Sequence, residues 1–352
     1  MRKGQQQTLP KGPKMEELLR SYFLKAGYYV VRGVPFVYEG FDVTDIDLWL
    51  YSRTSSVSRE VALVDAKNKK TPQAIERIFW VQGLRIATKA TNAIVATTEK
   101  RQEVKDFGRE LGVLVLDGNF LGKLAKSEDP NATRLSDEEF FSQINDYSLS
   151  KLDGDWRGRM VLSKSLLAKS LSFDSCNEWL GQGKFFAEQS ITKGSPRETA
   201  LRCLYLVCSF IIIAIDYSMK ELSFHEQSER SELIKDGFTY GSRGSSGLRK
   251  VLNVAMALVE EHANDGPAIS RQVRTSVEKQ LAQLNTSILG DFFSKNDVAR
   301  TLFSVAREFE QLAMTREFKP HSTASIELRS TLFCLLDYWH IDRAAFSETI
   351  KS

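Results

Sequence analysis

Two neighbouring stretches of alternating polar and apolar residues, 44–51 (TDIDLWLY) and 60–70 (EVALVDAKNKK), constrain this chain more than any other feature. Period-two alternation marks each as a strand, and the turn-rich 52–58 between them makes the two neighbours in a sheet. On the first strand Asp45 and Asp47 share a face with Trp49 and Tyr51, while Ile46, Leu48 and Leu50 take the other. On the second, Asp65 and Lys67 share a face by the same rule. Carboxylates beside apolar strand residues are costly unless a cation and a polar substrate offset their charge. The spacing therefore predicts a divalent-cation site with a lysine ammonium aimed at a phosphate.

A helix over 15–26 precedes these strands, with Gly27 as its stop signal. Taking Met15 as zero and about 100° per residue, Leu18, Leu19, Tyr22 and Ala26 cluster on one face. Glu16 falls at about 100°, on the rim of that face, and Glu17 near 200°, in solvent. Glu16 is thus the glutamate expected to look along the sheet toward the aspartates.

The order of elements over the first half is α-β-β-β-α-β-α-β. Strands are expected at 28–38 (bent near Pro35), 45–51, 60–67, 92–97 and 113–116, and helices at 71–87 and 101–111. Thr71-Pro72 provides a helix start. Crossover helices between the later strands require a mixed sheet, so residues 1–127 are expected to form an α/β domain. A polar, aperiodic 128–140 reads as a linker. Residues 141–352 read as all-helical, with helices near 162–171, 197–222, 246–262, 269–289, 297–314 and 325–339. A glycine- and serine-rich loop at 236–247 divides them into possible subdomains. That loop lacks the lysine and the preceding strand of a phosphate-binding loop.

Charge is unevenly placed: residues 1–127 carry 21 Lys+Arg against 14 Asp+Glu, and the remainder 27 against 31. A basic first part enclosing an acidic cluster suits a polyanion held electrostatically. The four cysteines (Cys176, Cys203, Cys208, Cys334) have no metal-ligand spacing and read as buried thiols of a reducing compartment. Four scattered histidines argue against a zinc site or a histidine-dependent nucleophile. The N-terminal stretch has no signal-peptide core, and the apolar run 203–215 is too short to span a bilayer, so the expected location is the cytoplasm, away from membranes.

Over about residues 12–125 the chain resembles the PD-(D/E)xK nuclease superfamily, in particular its Mrr-like restriction endonucleases and archaeal Holliday-junction resolvases. The resemblance is carried by Gly12 and Glu16, Gly27-Tyr28, Arg32, Ile46-Asp47 and the Asp65-Ala-Lys67-Asn68 motif. It continues through 92–98 (NAIVATT) and 112–124 (GVLVLDGNFLGKL). Two departures stand out: Asp65 occupies a position where glutamate is commoner, and no proline precedes Asp45 or Asp47. The resemblance implies a restriction-endonuclease-like fold and a DNA endonuclease active in restriction or defence. It implies that Glu16, Asp47, Asp65 and Lys67 are the metal-binding and catalytic positions. Mg²⁺ is the expected ion, with Mn²⁺ able to substitute, because the ligands are hard carboxylate oxygens. Gln82, on a helical face with Ile75, Phe79 and Ile86, is a further catalytic candidate, and Asp45 a supporting carboxylate. Lys69, Lys70, Arg77, Arg85 and Lys89 are candidates for gripping phosphates. The helical part is expected to select substrate, a second copy, or a defence-system partner protein. A nuclease-fold protein that binds DNA or a partner without cutting is the alternative.

Overall fold

The computed structural model describes residues 11–67, 73–126, 132–147, 150–192 and 196–348. Its first part runs α1 (Lys11–Lys25), β1 (Tyr29–Tyr38), β2 (Phe41–Arg53), β3 (Arg59–Lys67), α2 (Ala74–Thr88), β4 (Asn92–Thr97), α3 (Gln102–Glu110), β5 (Val113–Leu116) and α4 (Gly118–Leu124). The five strands lie in the order β1-β2-β3-β4-β5. The first two pairings are antiparallel and the last two parallel, as hairpins followed by helical crossovers require. The expected helix start at Thr71-Pro72 falls outside the described residues.

Alternation along the strands divides the sheet into two covered faces. Val30, Leu48, Leu50, Ala62, Val64 and Ala66 pack beneath α1 and α4 with Met15, Leu19, Phe23 and Leu121. On the other side, α2 and α3 cover β4 and β5 through Ala74, Ile78, Val81 and Val104. Tyr29, Val31, Trp49 and Tyr51 of the hairpin join a larger core built from the helices that follow. Ile46 belongs to that larger core too, and so departs from Leu48 and Leu50, with which simple alternation grouped it.

Those helices are α5 (Asp137–Tyr147), α6 (Trp156–Lys169), α7 (Phe173–Thr192), α8 (Arg197–Leu222) and α9 (Gln227–Tyr240). They continue with α10 (Gly244–His262), α11 (Gly266–Ala282), α12 (Thr286–Phe293), α13 (Asn296–Met314), α14 (Ile326–Tyr338) and α15 (Arg343–Glu348). The central α8 is apolar on every side because α7 and α13 flank it and the hairpin of the sheet abuts it. It is long and apolar enough to cross a membrane, yet nearly all of it is buried inside the protein. All four cysteines are free and buried.

Several local expectations are corrected. The stretch 236–247 is not a loop: α9 runs to Tyr240, a 3-10 turn covers Gly241–Arg243, and α10 starts at Gly244. The segment expected as one helix over 269–289 is α11 and α12, and α7 and α9 were not expected at all. Within 128–140, Leu135 and Ser136 are buried and α5 begins at Asp137.

Candidate active site

The β2–β3 ladder ends where the acidic residues lie. Its register runs from Arg53↔Arg59 to Leu48↔Val64, so Asp47 is the first residue past the last pair. β3 continues instead along β4, with Asp65 opposite Val95 and Lys67 opposite Thr97. Where the strands part, the Asp47 side chain takes over from a strand carbonyl: the Ala66 N–H donates to Asp47 Oδ2 at 2.6 Å. The half-exposed Lys67 ammonium lies 3.6 Å from the same oxygen. Asp47 and Lys67 are thus brought together at the open end of the split.

Asp65, nearly buried, is held by α2. Arg77 donates from Nε to Asp65 Oδ2 at 2.7 Å, and its Nη2 meets Asp65 Oδ1. This two-armed grip fixes geometry as well as charge. Burial pushes the Arg77 pKa down, while the Asp47 carboxylate opposes that shift, which places Arg77 within electrostatic reach of both aspartates. Arg77 was expected to face phosphates; instead it neutralises Asp65.

Glu16 reaches the same region from α1. Its Oε2 accepts from Arg32 Nε at 2.7 Å. Burial raises the Glu16 pKa, the Arg32 guanidinium works against the rise, and the charge of Asp47 adds to it. Glu17 is not in solvent. It is 1% exposed and ion-paired to Arg20 at 2.6 Å and to Arg32 at 3.0 Å. Arg32 also donates both terminal nitrogens to Glu138 of α5 at 2.8 Å, while Arg20 and Lys164 hold Asp137. Burial opposes charge on Asp137, but Lys164, Arg20 and Arg32 outweigh it and hold the carboxyl at about 2. One charged network therefore ties the rim of the site to the helical part.

Other candidates lie elsewhere. Because α2 runs back along the sheet, its C-terminal half sits at the N-terminal ends of the parallel strands. There Gln82 donates to the Leu111 carbonyl at 2.9 Å and Arg85 to the Thr91 carbonyl at 3.3 Å. Neither joins the aspartates. Ile75, Phe79 and Ile86, expected to face inward with Gln82, are exposed; the buried face is Ala74, Ile78, Val81 and Leu84. Asp45 is exposed on the hairpin arm, and Lys89 is an exposed left-handed cap of α2. Lys69 and Lys70 lie outside the described residues. Glu17, Arg20 and Glu138 were missed as members of the network; for Glu17 and Arg20 the signal was a charge beside the apolar positions of α1.

Each carboxylate of the site thus contacts a cation of the chain itself, and among the described residues no three Asp, Glu, His or Cys side chains cluster as a ready metal cage. The donor set of Asp47, Asp65 and Glu16 is nevertheless all hard oxygen, which suits a divalent cation that displaces Arg77 from Asp65. Arg77 sits at the solvent margin, a quarter exposed. Comparison with known proteins finds no matching family model, no matching curated protein and no matching solved structure.

Proposed function

We propose that this protein is a metal-dependent DNA endonuclease of the PD-(D/E)xK type, hydrolysing phosphodiester bonds at the split between β2 and β3. The observation that carries this reading is Lys67 beside Asp47 at that split, with Asp65 two residues back along β3 and Glu16 in electrostatic contact with Asp47. A bound Mg²⁺, or Mn²⁺ in its place, would polarise the phosphoryl oxygen and acidify a water. Asp47, Asp65 and Glu16 are the residues that would hold it. Lys67 stands beside Asp47 on the solvent side, where its ammonium neutralises charge building on the phosphate in the transition state. Once released from Asp65, Arg77 becomes a second cation for the phosphate, which restores the role expected of it. DNA as the substrate, and restriction or defence as the setting, rest on the sequence resemblance.

A second reading draws on the same geometry. Arg77 grips Asp65 with both arms, as a structural ion pair does, and this favours a nuclease-fold protein that binds DNA without cutting it. Calorimetric titration with Mg²⁺ and Mn²⁺ separates the two. The nuclease reading expects binding that Asp65→Ala removes, together with cleavage among supercoiled, linear, branched and single-stranded DNA. Heat-silent titrations and intact DNA in every form would leave the binding protein.

A further inference from the structure

Helices α10 and α11 form a hairpin, α10 packs on α9, and of the nineteen residues of α10 only Met256 is buried. Leu252 and Val259, half-buried, flank Met256 at helical spacing and make the stripe turned toward the rest of the protein. A second apolar stripe covers another side of the helix. Val251, Val254 and Leu258 are 54%, 66% and 54% exposed, and Ala255 between them is exposed as well. Taking Val251 as zero, Val254 falls at about −60°, Leu258 at about −20° and Ala255 at about 40°, a continuous band of the width a buried helix face needs. Scattered apolar residues on a surface need no explanation, but a contiguous band does.

Glu260 and Glu261 sit against the dipole in the last turn of α10, while Arg249 and Lys250 lie in its second turn. A lone helix prefers cations in its last turn. Among the described residues no ion pair engages Arg249, Lys250 or Glu260, and Glu261 meets only the adjacent His262. An antiparallel neighbour of the same sequence resolves both anomalies.

We infer that this face is a homodimer interface in which α10 of one chain lies antiparallel to α10 of a second copy, about a two-fold axis between Val254 and Ala255. The stripe is symmetric about that point: Val251 meets Leu258 of the second copy, and Val254, on one margin, lies across the axis from its own counterpart. Lys250 and Glu261 fall at about −100° and −80°, on the same margin of the stripe. Antiparallel helices bring like margins together, so Lys250 of each chain faces Glu261 of the other, twice by symmetry. The two hairpins then complete a four-helix arrangement from two-helix halves. The inference stands whether or not the protein cuts DNA.

Sedimentation equilibrium of the full chain over a concentration series tests it. The expected result is a concentration-dependent species of twice the monomer mass. Val254→Glu sets two carboxylates near the axis and is expected to weaken association by about 100-fold. Because Val254 is exposed, far-UV circular dichroism stays as in the wild type, as does the unfolding midpoint at concentrations where both proteins are monomeric. Lys250→Glu alone and Glu261→Lys alone each weaken association about tenfold, and the double exchange restores it to within about threefold. A wild type that stays monomeric up to about 100 μM overturns the inference. So does a dimer indifferent to Val254→Glu, or a double exchange no tighter than either single one.

Discussion

Asp65 and Arg77 set the terms at the scale of single residues. A carboxylate held by a guanidinium is unavailable to a metal until the arginine leaves, so under the proposed function Arg77 and the metal would compete for the same oxygens. Arg77→Gln is therefore expected to tighten Mn²⁺ binding by about tenfold in a calorimetric titration, the size of a charge-assisted bond lost. An unchanged or weaker affinity would mean that Arg77 does not shield the site. His321 makes a second prediction. It is buried, its backbone N–H donates to the Tyr205 hydroxyl at 3.0 Å, and burial together with Arg329 lowers its pKa to about 4. The unfolded chain takes up this proton near pH 6.5 and the folded one only near 4, so between these values the unfolded state binds more protons. Stability from this group is intact above about pH 6.5 and is lost as pH falls toward 4, by at most about 3 kcal/mol. Urea unfolding at pH 7.5 and pH 5 checks this: the drop should shrink in His321→Gln, and an equal drop in both proteins would exclude His321 as its source.

At the scale of elements, α8 is the joint between sheet and helices, and one charge secures it. Asp216, fully buried, accepts from Tyr51 Oη at 2.6 Å, Arg59 Nε at 2.7 Å and Arg53 Nη1 at 2.9 Å. Asp216→Ala strands a buried guanidinium, so a loss of about 3–5 kcal/mol is expected in chemical denaturation. A change below about 1 kcal/mol would show that the cluster relaxes around the gap. The strands and crossover helices of the first half were legible because each has its own period, and α8 because of its long apolar run at 203–215. The phase of α2 was misread, since Ile75, Phe79 and Ile86 look like a core face yet lie outside. The Glu17 error has the opposite cause: its partners come from α1 itself, β1 and the start of α5, and no local period announces them. The signal of α7 is broken by Gly181 and Gly183. At Gly183 a Cβ would lie 2.7 Å from the Trp339 ring, so the helix gives up propensity for a close approach.

For the whole molecule, the sheet and the helices share a core, and the network from Glu16 through Arg32 to Glu138 carries the edge of the candidate site into α5. Of the candidate site, the pairing of Asp47 with Lys67 was legible, because short polar–apolar alternation is local. That Arg77 occupies Asp65 and Arg32 occupies Glu16 emerges only in three dimensions, because each arginine comes from another element. The account stands on Asp47, Asp65 and Lys67 acting together on a phosphodiester. Nicking of supercoiled plasmid in Mg²⁺, followed in wild type, Asp65→Ala and Lys67→Ala, tests this most directly. Wild type is expected to relax the plasmid, and each variant to do so at least about 100-fold more slowly, with folding intact by circular dichroism. Relaxation by either variant at the wild-type rate would contradict it.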